Sequence, residues 1–329
     1  MTNKERLNKL LNIFKDSSKV LIVINADPDA ISCAMGLKRL LWRKVAEVGI
    51  THFNEIHRPD NLAFIEYTEP GLIPLKKINK SDYDTFVIID SQPAHSPAFS
   101  EFEFDVIIDH HPEGENEASF IDIRSDYGAC ATIMTEYLKS SKIKPSPKLA
   151  AALMLGIKTD TANFTRQTTL KDFRAYQFLF KYAEHNIVTK VERSVLTQDC
   201  LDFLWLAIKK RQVLNNRAFY HAGNINIPDQ LVIVADFFLT LAKVNWSIIS
   251  GVCNGNLIIV MRNDGLRKGA GNTASEAFSS LGSAGGHKTM ARAEIPYNRL
   301  KKEIGSSSQK VLAQWVIDSI ENCAGKKTD

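Results

Sequence analysis

Three short apolar runs constrain this chain more than any other feature: VLIVIN (20–25), TFVIID (85–90) and DVIIDHH (105–111). Each is continuous rather than alternating, which suits a strand buried on both faces, as in a parallel sheet. Each also leads into acidic residues. Asp27 and Asp29 follow the first, Asp90 ends the second, and Asp109 ends the third with His110 and His111 behind it. Helical spacing over 30–43 and 61–68 and a further strand over 45–53 fall between them. Alternation of strand and helix predicts an α/β fold with an open, mostly parallel sheet in the N-terminal half.

Elsewhere the pattern changes. A short amphipathic helix is expected over 4–15, and helices over 128–141, 147–160 and 170–185. Residues 188–215 look helical and amphipathic and read as a connector. Beyond it AFYHAGNINI, QLVIVADFFL, NWSIISGVCNG, NLIIVMRND and ARAEIPY read as strands, with a last helix over 308–321. The expected organisation is a domain over 1–187, a helical connector over 188–215 and a smaller α+β domain over 216–329.

The totals exclude several classes. Net charge is +4, from 41 Lys and Arg against 37 Asp and Glu, too little to grip long duplex nucleic acid by bulk charge. A local basic groove for a short anionic substrate remains open. No stretch of roughly 18 apolar residues occurs, so no membrane span is expected, and the N-terminus lacks the apolar core of a signal peptide. Five cysteines form no CxxC pair and read as reduced thiols. A soluble cytoplasmic protein is expected, with its oligomeric state, monomer or dimer, left open.

If the three apolar runs are parallel strands, their acidic ends lie at one sheet edge, where open α/β folds bind ligands. Singly, each residue has a plainer reading. Asp29 before a helix can be a cap, a His pair can sit at the surface, and Asp160 in GIKTDT can close a helix. Together, Asp27, Asp29, Asp90 and Asp160 would repel one another and lose hydration unless a cation joined them. Oxygen-rich ligation with one or two imidazoles suits manganese, with magnesium as the alternative, better than zinc.

These residues resemble the DHH phosphoesterase superfamily with a DHH-associated C-terminal domain, the group of oligoribonucleases, pAp phosphatases, dinucleotide phosphodiesterases and RecJ-like exonucleases. The resemblance runs from about residue 18 to 297 and rests on five motifs: Asp27-Pro28-Asp29-Ala30, Ile88-Ile89-Asp90, Asp109-His110-His111, Gly156-Ile157-Lys158-Thr159-Asp160-Thr161 and Gly285-Gly286-His287. It implies one or two manganese ions. Asp27 and Asp90 would hold the first and Asp29, Asp90, His110 and Asp160 the second, so that Asp90 bridges. Asp109 would orient an imidazole, and His111 would face the scissile phosphate. Gly285, Gly286 and His287 would take a terminal phosphate with backbone N–H groups and an imidazole. Arg262, after the strand NLIIVM, is placed to pair with a phosphate; Lys268 and Arg292 read as solvated surface charges.

The implied activity is hydrolysis of short single-stranded RNA or DNA, pAp, or cyclic or linear dinucleotides by metal-activated water, with Asp90, Asp109 and His111 in catalytic roles. The sequence departs from the family at Val23, where a histidine four residues before the first aspartate is usual. Asn25, on the same strand face, is the candidate substitute. Ser32-Cys33 and the Lys288–Arg292 stretch after the glycine-histidine motif depart as well. Two alternatives therefore stand beside the hydrolase: a catalytically weakened nucleotide-binding regulator, and a pyrophosphatase or exopolyphosphatase.

Overall fold

The computed structural model describes residues 2–194, 196–266, 268–305 and 308–325. It divides into two compact units between positions 195 and 196. The first carries α1 (Asn3–Leu11), β1 (Lys19–Ile24), α2 (Pro28–Leu41), β2 (Glu47–His52), α3 (Pro59–Thr68), β3 (Leu72–Pro74), β4 (Thr85–Ile89), β5 (Val106–Asp109), β6 (Phe120–Ile123), α4 (Cys130–Ser140), α5 (Pro147–Asp160), α6 (Leu170–Phe180) and α7 (His185–Arg193). Its six strands run in the order β3-β2-β1-β4-β5-β6 and every pairing is parallel. The continuous apolar runs arise because both faces are covered. Val20, Ile22 and Ile24 pack under the helices, while Leu21 and Val23 pack with Ile88, Ile107 and the rings of Phe99, Phe102 and Phe104.

The second unit carries α8 (Gln198–Lys210), β7 (Gln212–Leu214), β8 (Arg217–Asn224), α9 (Asp229–Leu239), β9 (Trp246–Cys253), β10 (Asn256–Asn263), α10 (Ala270–Phe278), β11 (Ser283–Gly286), β12 (Met290–Pro296), α11 (Tyr297–Ile304) and α12 (Gln309–Gly325). Its sheet, β11-β12-β10-β9-β8-β7, is mixed: β8 and β9 are parallel and the other pairs antiparallel.

Three sequence expectations change here. QLVIVADFFL is the helix α9, not a strand. Its β-branched content favours a strand, but Leu231, Val234, Ala235 and Phe238 recur at helical spacing and are all buried on the sheet. The 188–215 stretch is not one helical connector: α7 packs in the first unit, α8 in the second, and Gln212–Leu214 pairs with β8 as an edge strand. The helix expected over 170–185 ends at Phe180, and α7 begins at His185 with Glu184 accepting the Asn186 amide. Among the described residues no helix is long and apolar enough to cross a membrane.

Candidate metal centre

Strand order reverses between β1 and β4, and open α/β sheets bind ligands beyond the carboxyl ends of the strands at such a point. After β1, Asn54 pins the turn by accepting the Ala26 amide at 2.7 Å and donating to the Ala26 carbonyl at 2.9 Å. Asp27 then caps α2, accepting the Ala30 amide at 2.9 Å ahead of Pro28. Asp29 is not the cap. It is fully buried and accepts the amides of Cys130 and Ala131, at the start of α4, at 2.6 and 2.8 Å. A helix N-terminus, with its unpaired N–H groups, is a favourable seat for that carboxylate. α5 passes so near that a Cβ on Gly156 would lie 2.9 Å from Asp29 Oδ1 and 2.7 Å from Ser32 Oγ. The glycine of the GIKTDT motif is thus what allows α2 and α5 to meet.

Asp90 leaves β4 at φ 59°, in the left-handed region, a strained conformation of the kind that clusters at functional sites. Asp160 ends α5. The loop behind it turns through three consecutive left-handed residues, Ala162, Asn163 and Phe164, and the Arg166 guanidinium donates to the Asp160 carbonyl at 2.6 and 3.1 Å.

His110 follows β5. Its Nδ1 lies 3.2 Å from the Tyr127 carbonyl, so that nitrogen carries the proton. Its Nε2 is 3.0 Å from Asp160 Oδ2 and 3.4 Å from Asp90 Oδ1. With Nδ1 so held, Nε2 is the nitrogen that faces the carboxylates, and it presents a lone pair there once it gives up its proton, as a metal-ligating histidine does. The ligand atoms of Asp29, Asp90, His110 and Asp160 all lie within 4.8 Å of one another.

Among the described residues, Asp90 Oδ1 and His110 Nε2 are buried with no hydrogen-bond partner; the 3.0 Å approach to Asp160 suits an ion pair but is not aligned as a hydrogen bond. Burial, then the neighbouring carboxylates, push the Asp29 and Asp90 carboxyls well up, and burial followed by Asp160 pushes Asp27 up to about 6. Burial pulls the His110 imidazole down, but Asp160 and Asp29 outweigh it and hold it at about 9. Orphaned ligand atoms and carboxyls forced to keep protons are the state a divalent cation relieves, with release of those protons. The four side chains therefore fit such an ion in number, chemistry and spacing.

Asp27 lies outside this group. Val23 is fully buried in the apolar cluster of Leu21, Ile88 and Ile107, and Asn25 is exposed. The first-ion set named by the resemblance is accordingly thin.

Asp109 is buried at the end of β5. It accepts the His110 amide at 2.8 Å, the His111 Nδ1–H at 2.8 Å and the Gln92 amide at 2.6 Å. Burial pushes its carboxyl up, but the bonds from His111 and Gln92 outweigh this and hold it at about 2. It stays ionised and fixes the His111 ring, whose side chain is 41% exposed. Gln92, itself buried, also donates to the Pro112 carbonyl and accepts the Gly114 amide. His95 stands edge-on to His111 at 5.5 Å and accepts the Gln92 backbone amide at 3.2 Å. The sequence reading missed Gln92, His95, Asn54 and Arg166. For Gln92 and His95 a signal existed, since both closely follow Asp90 at the same sheet edge.

In the second unit, Arg262, Gly285, Gly286 and His287 line one shallow pocket of about 260 Å³ together with Met290 and Arg292. Arg262 donates to Asp236 of α9 at 2.8 Å. Gly286 has φ 147°, and a Cβ there would meet the Met290 carbonyl at 2.4 Å. Gly285 and Gly286 belong to the edge strand β11 rather than to a free loop. The His287 amide is already bonded to Met290, which leaves its exposed imidazole for a ligand. Lys268 pairs with Glu276 and Arg292 with Glu294.

Residues 19–157 match the DHH family, N-terminal domain. The chain is 32% identical over 321 residues to an uncharacterised protein of Methanocaldococcus jannaschii, covering 96% of this chain and 66% of the relative. It is 26% identical over 166 residues to the probable bifunctional oligoribonuclease and PAP phosphatase NrnA of Streptococcus mutans, covering 47% of this chain and 49% of the relative. It thus spans less than two thirds of the length of either. Among solved structures it resembles an exopolyphosphatase-related protein from Bacteroides fragilis (TM-score 0.75, 16% identity, 97% of this chain and 96% of that one). It also resembles the exonuclease RecJ bound to manganese (TM-score 0.51, 14% identity, 99% and 95%). At those identities the likeness is one of fold. The matched family model and the Asp-His-His run closing β5 give one conclusion: residues 19–157 form a domain of the DHH family.

Proposed function

We propose that the chain is a divalent-cation-dependent phosphoesterase acting on small nucleotides or short single-stranded oligonucleotides, pAp and dinucleotides among them. The observation that carries this reading is the buried group of Asp29, Asp90, His110 and Asp160, with its two unpartnered ligand atoms. A divalent ion held there, manganese by the chemistry of the donors, supplies an acidified water and neutralises phosphoryl charge. The manganese in RecJ, a protein of like fold, supports that choice.

The chain's own groups do the rest. Asp109 holds the His111 Nδ1 proton, so Nε2 is the atom that takes or gives a proton at the substrate. Gln92 keeps Asp109 in place. In the second unit, Arg262 and His287 are placed to bind a phosphate, and the missing side chains of Gly285 and Gly286 let it approach the backbone. With Val23 apolar and Asp27 engaged as a cap, one ion is held firmly and a second weakly. Five free cysteines, four of them buried, fit the reducing cytoplasm.

The test is hydrolysis of pAp, linear dinucleotides and short RNA with added manganese, with EDTA and His111→Ala as controls. The reading requires at least one substrate to be cut, and His111→Ala to slow that reaction by about 100-fold or more. If all substrates stay intact, it is wrong. The apolar burial of Val23 favours a second reading, a nucleotide-binding protein with weakened catalysis. A large gain in hydrolysis by Val23→His supports that second reading.

A further inference from the structure

The sheet of the second unit carries another pocket, of about 470 Å³, within the size range of small-molecule sites. It lies on the opposite face from the pocket of Arg262. Strand alternation separates the faces. Val260, two residues before Arg262 and so on the same face, packs with Val234 and Phe238 of α9. Phe219 and Ile248, which floor the larger pocket, pack instead with Leu312 and Val316 of α12.

Its composition is one-sided. The titratable residues lining it are Lys210, Tyr220, His221 and Lys310, and no carboxylate is among the described lining residues. Lys210 ends α8 and Lys310 lies in the first turn of α12. Both are exposed, and neither has an ion-pair partner among the described residues. The wall between is ordered. His221 Nε2 lies 2.6 Å from Gln309 Oε1, and Nδ1 lies 2.8 Å from Ser250 Oγ. With Gln309 so oriented, Nε2 carries the proton and Nδ1 accepts from the serine. Beneath this polar wall the floor is apolar, with Phe219, Ile248, Val316 and Ile317. A cationic rim over an apolar floor selects a ligand with an anionic end and a flat apolar body.

We propose that this pocket binds a small organic phosphate carrying an aromatic ring system, of the chemical class of a nucleoside monophosphate, separately from the metal centre and the Arg262 pocket. The phosphate lies at the Lys210 and Lys310 rim, where the first amides of α12 add positive potential. The ring lies on Phe219 and Ile248.

Equilibrium dialysis of the full chain against AMP, adenosine and inorganic phosphate tests this, in EDTA so that no metal-bound phosphate contributes. AMP is expected to bind saturably and more tightly than adenosine or phosphate. Lys210→Glu combined with Lys310→Glu, both exposed positions that leave the core intact, weakens AMP by about tenfold or more. Arg262→Ala combined with His287→Ala changes it by less than about twofold. The proposal is overturned by the absence of saturable AMP binding, by adenosine binding as tightly as AMP, by binding that survives both lysine reversals, or by its loss in the Arg262 and His287 variant.

Discussion

Replacing Asp27 by Asn removes one charge from the carboxylate cluster and keeps the α2 cap, because asparagine accepts the Ala30 amide as well as aspartate does. Without metal the carboxyl is pushed from 3.8 to about 6, first by burial and then by Asp160. A folded-state value above the unfolded one means that ionisation weakens the fold as pH rises from about 4 through about 6. A shift of roughly two units corresponds to about 3 kcal/mol. Water at the half-buried carboxylate screens this to about 1–2 kcal/mol. Asp27→Asn is therefore expected to exceed the wild type in stability by about 1–2 kcal/mol at pH 8 in EDTA, and to converge with it near pH 4. Manganese narrows the difference, because a nearby bound cation favours the Asp27 charge. Urea unfolding at both pH values, with EDTA or manganese, reads all of this. A variant destabilised equally at both pH values in EDTA refutes the electrostatic argument and points to the cap instead.

Two further outcomes follow from the geometry. Gly156→Ala drives a Cβ to 2.7 Å from Ser32 Oγ and 2.9 Å from Asp29 Oδ1, which should cost about 1–3 kcal/mol and weaken manganese binding together; an unchanged melting temperature counts against the close α2–α5 contact. Asp109, held at about 2, contributes stability present above its unfolded value and lost as pH falls from about 4 to about 2, worth about 2 kcal/mol. Asp109→Asn should lack that acid-dependent step, and parallel acid titrations of the two proteins check it.

Much of the first unit was legible in its apolar runs, because strands buried on both faces leave no polar interruptions and end abruptly at the edge that binds. The short outer strands β3 and β6 were not, since their residues are only partly buried or mixed in character. In the second unit α9 was misread because Val232, Ile233 and Val234 carry strand propensity, while only tertiary packing reveals the helical spacing. α10 and β11 were missed because small residues and glycines carry little period. At the site, aspartate and histidine positions could be read from motif and strand end. The supports could not. Asn54, Arg166 and the amides of Cys130 and Ala131 reach their partners across sequence separations or through backbone atoms that no local pattern records.

The central claim is that Asp29, Asp90, His110 and Asp160 form a cation site. It is tested most directly by titrating metal-stripped protein with manganese and following the spin-resonance signal of the free ion. The wild type should remove at least one ion per chain from solution. The combined His110→Ala and Asp160→Asn variant, folded by circular dichroism, should bind it more than about tenfold more weakly. A wild type that leaves all manganese free, or a variant that binds it equally well, contradicts the account.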